Sequence, residues 1–64
     1  MNLVKIIRIE RIVLVIYSSA DNSYEYCGID PITLCIYKPA NIFATAYAAE
    51  KQGRIFVDRY CSLN

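Results

Sequence analysis

Ile and Val dominate residues 3–17, which read LVKIIRIERIVLVIY. β-Branched side chains lose rotamer freedom in a helix and suit a pleated sheet, so this segment predicts strand. Arg8 and Glu10 alternate with Ile7 and Ile9, which gives the first half one wet face. From Ile12 to Ile16 the alternation stops, and burial on both faces is expected. Arg11 breaks the register between the halves, where a β-bulge would fit. A helix competes for the same residues, because helical spacing puts Lys5, Arg8 and Arg11 on one face.

Ser18-Ser19-Ala20-Asp21-Asn22-Ser23 is a cluster of turn formers. Tyr24 to Cys27 follows as a short second strand with both tyrosines on one face, and Gly28-Ile29-Asp30-Pro31 is the next break. Ile32 to Lys38 predicts a third strand. Pro39 and Asn41 then announce a helix, with Asn41 as N-cap or Pro39 in the first turn. The helix runs through IFATAYAAEKQ, with Ile42, Ala46 and Ala49 on one stripe and Gly53 as its stop. Arg54 to Tyr60 alternates as a last strand, Ile55 and Val57 against Phe56, Asp58 and Tyr60. The expected fold is one α+β domain, a small antiparallel sheet in the order β-β-β-α-β with one helix packed on it.

Composition changes this picture in one respect. The chain has 64 residues, 56% of them hydrophobic. A chain of this size buries only about 60% of the surface its unfolded form exposes. The surplus apolar surface is expected to meet another protein chain, as a homodimer or larger homo-oligomer or against a foreign partner. Seven Lys+Arg against six Asp+Glu leave a net charge of +1, which argues against a duplex-DNA partner. No apolar run approaches the ~18 residues of a membrane span. Ile12 to Tyr17 is also short for the apolar region of a signal peptide, and Glu10 sits where such a peptide is basic.

Candidate chemistry is sparse. There is no histidine, which removes the commonest general base and metal ligand. Asp30, beside Pro31, is the one carboxylate in a conspicuous setting, and turn formation explains it. The two glycines, Gly28 and Gly53, make no phosphate-cradling loop. Cys27, Cys35 and Cys61 lack the paired spacing of a structural zinc site. They read as reduced thiols of a cytoplasmic protein, with a disulfide plus a leftover thiol in a secreted protein as the alternative. No enzyme, metal or cofactor is therefore expected.

Six tyrosines are the candidates for recognition, since Tyr buries a large ring while keeping a polar tip wet. Tyr24 and Tyr26 flank a turn and would form an exposed pair. Tyr37, Tyr60, Arg8 and Arg11 complete the expected binding set. Nucleic-acid binding through Lys5, Arg8 and Arg11 with tyrosine stacking is a further alternative, opposed by the strand geometry and by Glu10 between them.

The stretch Phe43-Ala44-Thr45-Ala46-Tyr47-Ala48-Ala49-Glu50-Lys51-Gln52-Gly53-Arg54-Ile55-Phe56-Val57, with Cys61 after it, resembles the helix-to-strand segment of small OB-like domains of the toxin B-subunit type. That resemblance implies a ring oligomer that binds glycans, and it carries no individual binding residue over to this chain. A fifth strand of such a domain is not expected in the three residues after Cys61. The first expectation is instead a non-enzymatic protein-binding module that associates with itself or blocks a partner's working surface. Inhibitors of this size and style are encoded by phages and mobile elements, an analogy of size rather than of motif.

Overall fold

A computed structural model describes residues 2–63. Four antiparallel strands form a meander, β1 (Asn2–Ile9), β2 (Ile12–Ala20), β3 (Ser23–Asp30) and β4 (Cys35–Tyr37), followed by one helix, α1 (Ala46–Leu63). The α+β class is the one the sequence predicts. Several boundaries differ, each for a physical reason.

The expected single strand over residues 3–17 is a hairpin. Ile9 pairs with Ile12, so Glu10 and Arg11 form a two-residue turn rather than a bulge. Glu10 takes a φ of 54°, the left-handed region that such tight hairpin turns demand. Arg8 Nε donates to the Glu10 carbonyl at 3.2 Å across this turn. The bulges lie elsewhere, between Leu3 and Lys5 and between Ser18 and Ala20. β3 continues through Gly28 to Asp30, and the expected break begins only at Pro31. Residues 31–34 turn, with Leu34 at φ 60°, so the third expected strand shrinks to β4.

The largest difference is at the C-terminal end. Asn41 does not cap the helix and Pro39 does not begin it. Residues 38–45 run outside any helix, and Phe43 exchanges two 2.8 Å backbone hydrogen bonds with Tyr24 at the edge of β3. Thr45 is the cap, its Oγ1 accepting from the Ala48 N–H at 3.0 Å. α1 then runs straight through Gly53 and takes in Arg54 to Tyr60, the expected last strand.

Gly53 is a packing glycine. It is buried, and an added Cβ would lie 2.8 Å from Leu14 Cδ1. The helix can approach the centre of the sheet because that position has no side chain. Ala46, Ala49, Gly53, Val57 and Tyr60 recur at spacings of three and four, and Ala49, Gly53 and Val57 are buried. Tertiary packing on this stripe outweighs the β-preference of Ile55, Phe56 and Val57.

α1 covers one face of the sheet, chiefly β2 and β3. Ile12, Leu14 and Ile16 of β2 are at most 1% exposed and meet Tyr26, Ala49 and Val57. Ile7 and Ile9 extend this layer into β1. Lys5 reaches the helix from the same strand, its Nζ 3.2 Å from Glu50 Oε1, while Glu50 Oε2 also accepts from Arg54 Nε at 2.9 Å. Among the described residues, no helix or further strand layer lies on the opposite face of the sheet. Among the described residues, no helix is long and apolar enough to cross a membrane.

Candidate functional site

Two places concentrate side chains of interest. The first is a closed polar cluster at the last residue of β3. Asp30 is fully buried, and donors from the first turn, the 31–34 turn and α1 converge on it. Oδ2 accepts from the Tyr60 hydroxyl at 2.6 Å and from Arg11 Nε at 3.1 Å; Oδ1 accepts from the Ile32 N–H at 3.0 Å. The Tyr60 hydrogen bond, then those from Ile32 and Arg11, hold its carboxyl at about 2 against the opposing effect of burial. Asp30 is therefore ionised at neutral pH and its oxygens are occupied. The Arg11 guanidinium also sits 5.6 Å from the Tyr60 ring centre, and the Tyr60 hydroxyl pushes the Tyr37 phenol up.

The chemistry of this arrangement is cohesion. Arg11 belongs to the first turn, Asp30 to the end of β3 and Tyr60 to the last turns of α1, so one carboxylate ties three segments together. The contact to Ile32 is the turn-forming role that the sequence suggests for Asp30.

The cluster gathers three of the six expected binding residues, Arg11, Tyr37 and Tyr60. The Tyr37 ring lies 5.0 Å from Tyr60 and 5.5 Å from Phe56, between β4 and the helix. Tyr24 and Tyr26 share a face, as expected, but it is the face α1 covers. Tyr26 is 7% exposed and packs on Phe43 and Phe56, so the expected exposed pair does not form. Tyr24 is half-buried against the same core. Both rings lie on the same parity as Gly28, which faces Phe56 of the helix: a Cβ there would be 3.1 Å from Phe56 Cε2. Arg8 stands apart, exposed, on the other face beside Val13.

The second place is the helix-free face. β2 presents Val13, Val15 and Tyr17 there, and register brings Ile6 and Leu3 of β1 beside Val15 and Tyr17. On the other side Cys27 pairs with Val15 and Ile29 with Val13; Ile36 of β4 pairs with Ile29. Leu3, Val15, Tyr17, Cys27, Ile29 and Ile36 line a shallow groove of about 440 Å³, with Val13 and Ile6 on the same face beside it. Its rim carries Lys38, whose ammonium lies 5.7 Å from the Tyr17 ring centre, and Glu25, which accepts from the Tyr17 hydroxyl at 3.5 Å. Leu3, Ile6 and Ile36 are 62%, 58% and 68% exposed. In a 64-residue chain these exposed side chains make an apolar surface on the side of the sheet that the helix leaves open.

Tyrosine counting misses these residues, but strand parity finds them. Apolar side chains at every position from Ile12 to Ile16 demand cover on two faces, and α1 covers one. Cys27, Cys35 and Cys61 are all free thiols, and Cys27 belongs to the groove. Burial pushes the Cys27 thiol up, and the Glu10 carboxylate does the same to Cys61. Among the described residues no cluster of three or more His, Cys, Asp or Glu side chains is placed to hold a metal ion. Residues 54–57, a strand in the OB-like resemblance, are the middle of α1. Comparison with family models, with curated proteins and with solved structures gives no match.

Proposed function

We propose that this chain is a non-catalytic protein-binding module whose contact surface is the helix-free face of its sheet. One observation carries the reading: a sheet already backed by a helix keeps a second apolar face, with large aliphatic side chains more than half exposed. Small-molecule sites bury about 70–90% of their ligand. A groove whose walls stand this far out in solvent fits the broad surface of another protein instead. Phosphate contacts are disfavoured, since Arg8 and Lys38 share the face with Glu25. Such a module acts by covering, either shielding a second chain or obstructing its working surface.

The test is site-specific photo-crosslinking in the cells that make the protein. A crosslinker at Ile36, on the open face, is compared with one at Arg59, on the exposed side of the helix. Protein adducts from position 36 and not from 59 support the reading. Absence of adducts from position 36 sinks it.

A further inference from the structure

We infer that the occupant of the open sheet face is a second copy of this chain, packed sheet to sheet about a two-fold axis. This rests on reading that face as a contact surface, and four features select the occupant.

Shape is the first. Two sheets packed face to face keep their strands within about 30° because each carries its own right-handed twist. Two copies of one sheet have the same twist by construction. Area is the second. The chain measures 35 × 18 × 18 Å along its principal axes. The long face thus offers a footprint of roughly 600 Å² per copy, or about 1,200 Å² in all, at the lower bound of a stable interface. Nothing smaller than the whole face would reach that bound.

Charge is the third feature. The net charge of +1 lets two copies approach without appreciable repulsion. The rim carries both signs, Arg8 and Lys38 against Glu25, around an apolar centre. That is the anatomy of a protein interface, with charge excluded from the middle and kept at the edge. The fourth is the edge itself. β1 is an outer strand bearing Lys5 and Arg8, and charged side chains blunt an edge against lateral pairing. The face is the better route to association. The product is a four-layer sandwich, helix–sheet–sheet–helix, in which each copy supplies the second layer its partner's sheet lacks.

Solution mass by size exclusion with light scattering decides this, on the reduced protein across a concentration series. The expected result is twice the 7.3 kDa of one chain. Ile36→Lys and, separately, Leu3→Lys are the working variants. Both positions are largely solvent-exposed in the single chain, so circular dichroism should stay unchanged. A two-fold interface counts each substitution twice, so either variant should weaken the dimer about 100-fold or more.

A dimer that survives both lysines but dissociates on Tyr47→Lys, on the helix side, overturns the inference. So does a chain that stays monomeric at every concentration. If that monomer still gives foreign-protein adducts from position 36, only self-pairing fails and the binding reading stands. If it gives none, both fail together.

Discussion

Gly53→Ala offers a direct test of why α1 lies where it does. Ala is favoured over Gly in a helix interior by about 1 kcal/mol, so the helix alone predicts a gain. The packing predicts the reverse. A Cβ at position 53 would meet Leu14 Cδ1 at 2.8 Å, Cδ2 at 2.9 Å and Cγ at 3.3 Å. The whole end of that side chain is in the way, and Leu14 is fully buried, so it has to shift inside the packed core. Overpacking of this kind costs about 1–3 kcal/mol. The net expectation is a loss of about 1 kcal/mol. Equilibrium urea unfolding at fixed protein concentration would show it as a midpoint lower by about 1 M for a slope near 1 kcal/mol/M.

Leu14→Val supplies the control. It removes the atoms nearest the new methyl group and should itself cost about 1 kcal/mol. In that background Gly53→Ala should cost less than in the unchanged chain, because the two closest contacts, to the Cδ atoms, are gone while the propensity gain of up to about 1 kcal/mol is kept. A higher midpoint for Gly53→Ala in the otherwise unchanged chain would refute the reasoning. It would mean that the helix does not rest on the sheet at Leu14.

Three further outcomes follow from the geometry. Asp30 has its pKa depressed to about 2 from 3.8, so its contribution to stability is complete above about pH 4 and is lost as the pH falls toward 2. Urea midpoints across that window should fall for the native chain and fall less for Asp30→Asn; equal slopes would remove the carboxylate from the account. Leu34 is 83% exposed and holds a left-handed φ of 60°. Leu34→Asn should therefore stabilise by about 0.5–1 kcal/mol, since Asn tolerates that conformation, and a lower melting temperature would contradict this. Cys35 is exposed while the Cys27 and Cys61 thiols are pushed up, so Ellman's reagent near pH 8 should react first at Cys35. Mass mapping of the first modified thiol checks the order, and first reaction at Cys27 would be inconsistent with it.

Much of this fold is legible in local chemistry. The strand character of residues 3–17, the turns at Asp21-Asn22 and Pro31, and the α+β class all follow from side-chain type. What is not legible depends on distance. Glu10 occupies a left-handed turn position with no glycine to announce it, so one long strand and a hairpin look alike. Gly53 has two readings, helix stop and close contact, and only the position of Leu14 chooses between them. Ile55, Phe56 and Val57 favour strand individually, and the three-and-four spacing from Ala46 to Tyr60 overrides them only when a sheet is present to receive it. The proposed contact surface follows the same logic. Tyr24 and Tyr26 look like recognition residues by type, but parity places them under the helix. The apolar parity of β2 signals two covered faces without saying that the described residues supply only one cover.

The helix follows the whole sheet in the chain, and that order has a consequence for synthesis. Hairpins close in about 1–10 μs, whereas a ribosome adds about 5–20 residues per second. The 18 residues of α1 therefore emerge over about 1–4 s after the strands are out. During that interval a nascent sheet would show apolar side chains on both faces, Leu14 and Ile16 on one and Val15 and Ile29 on the other. Each new chain passes through a stage more adhesive than its finished form, and the residues made after the sheet are the ones that end it.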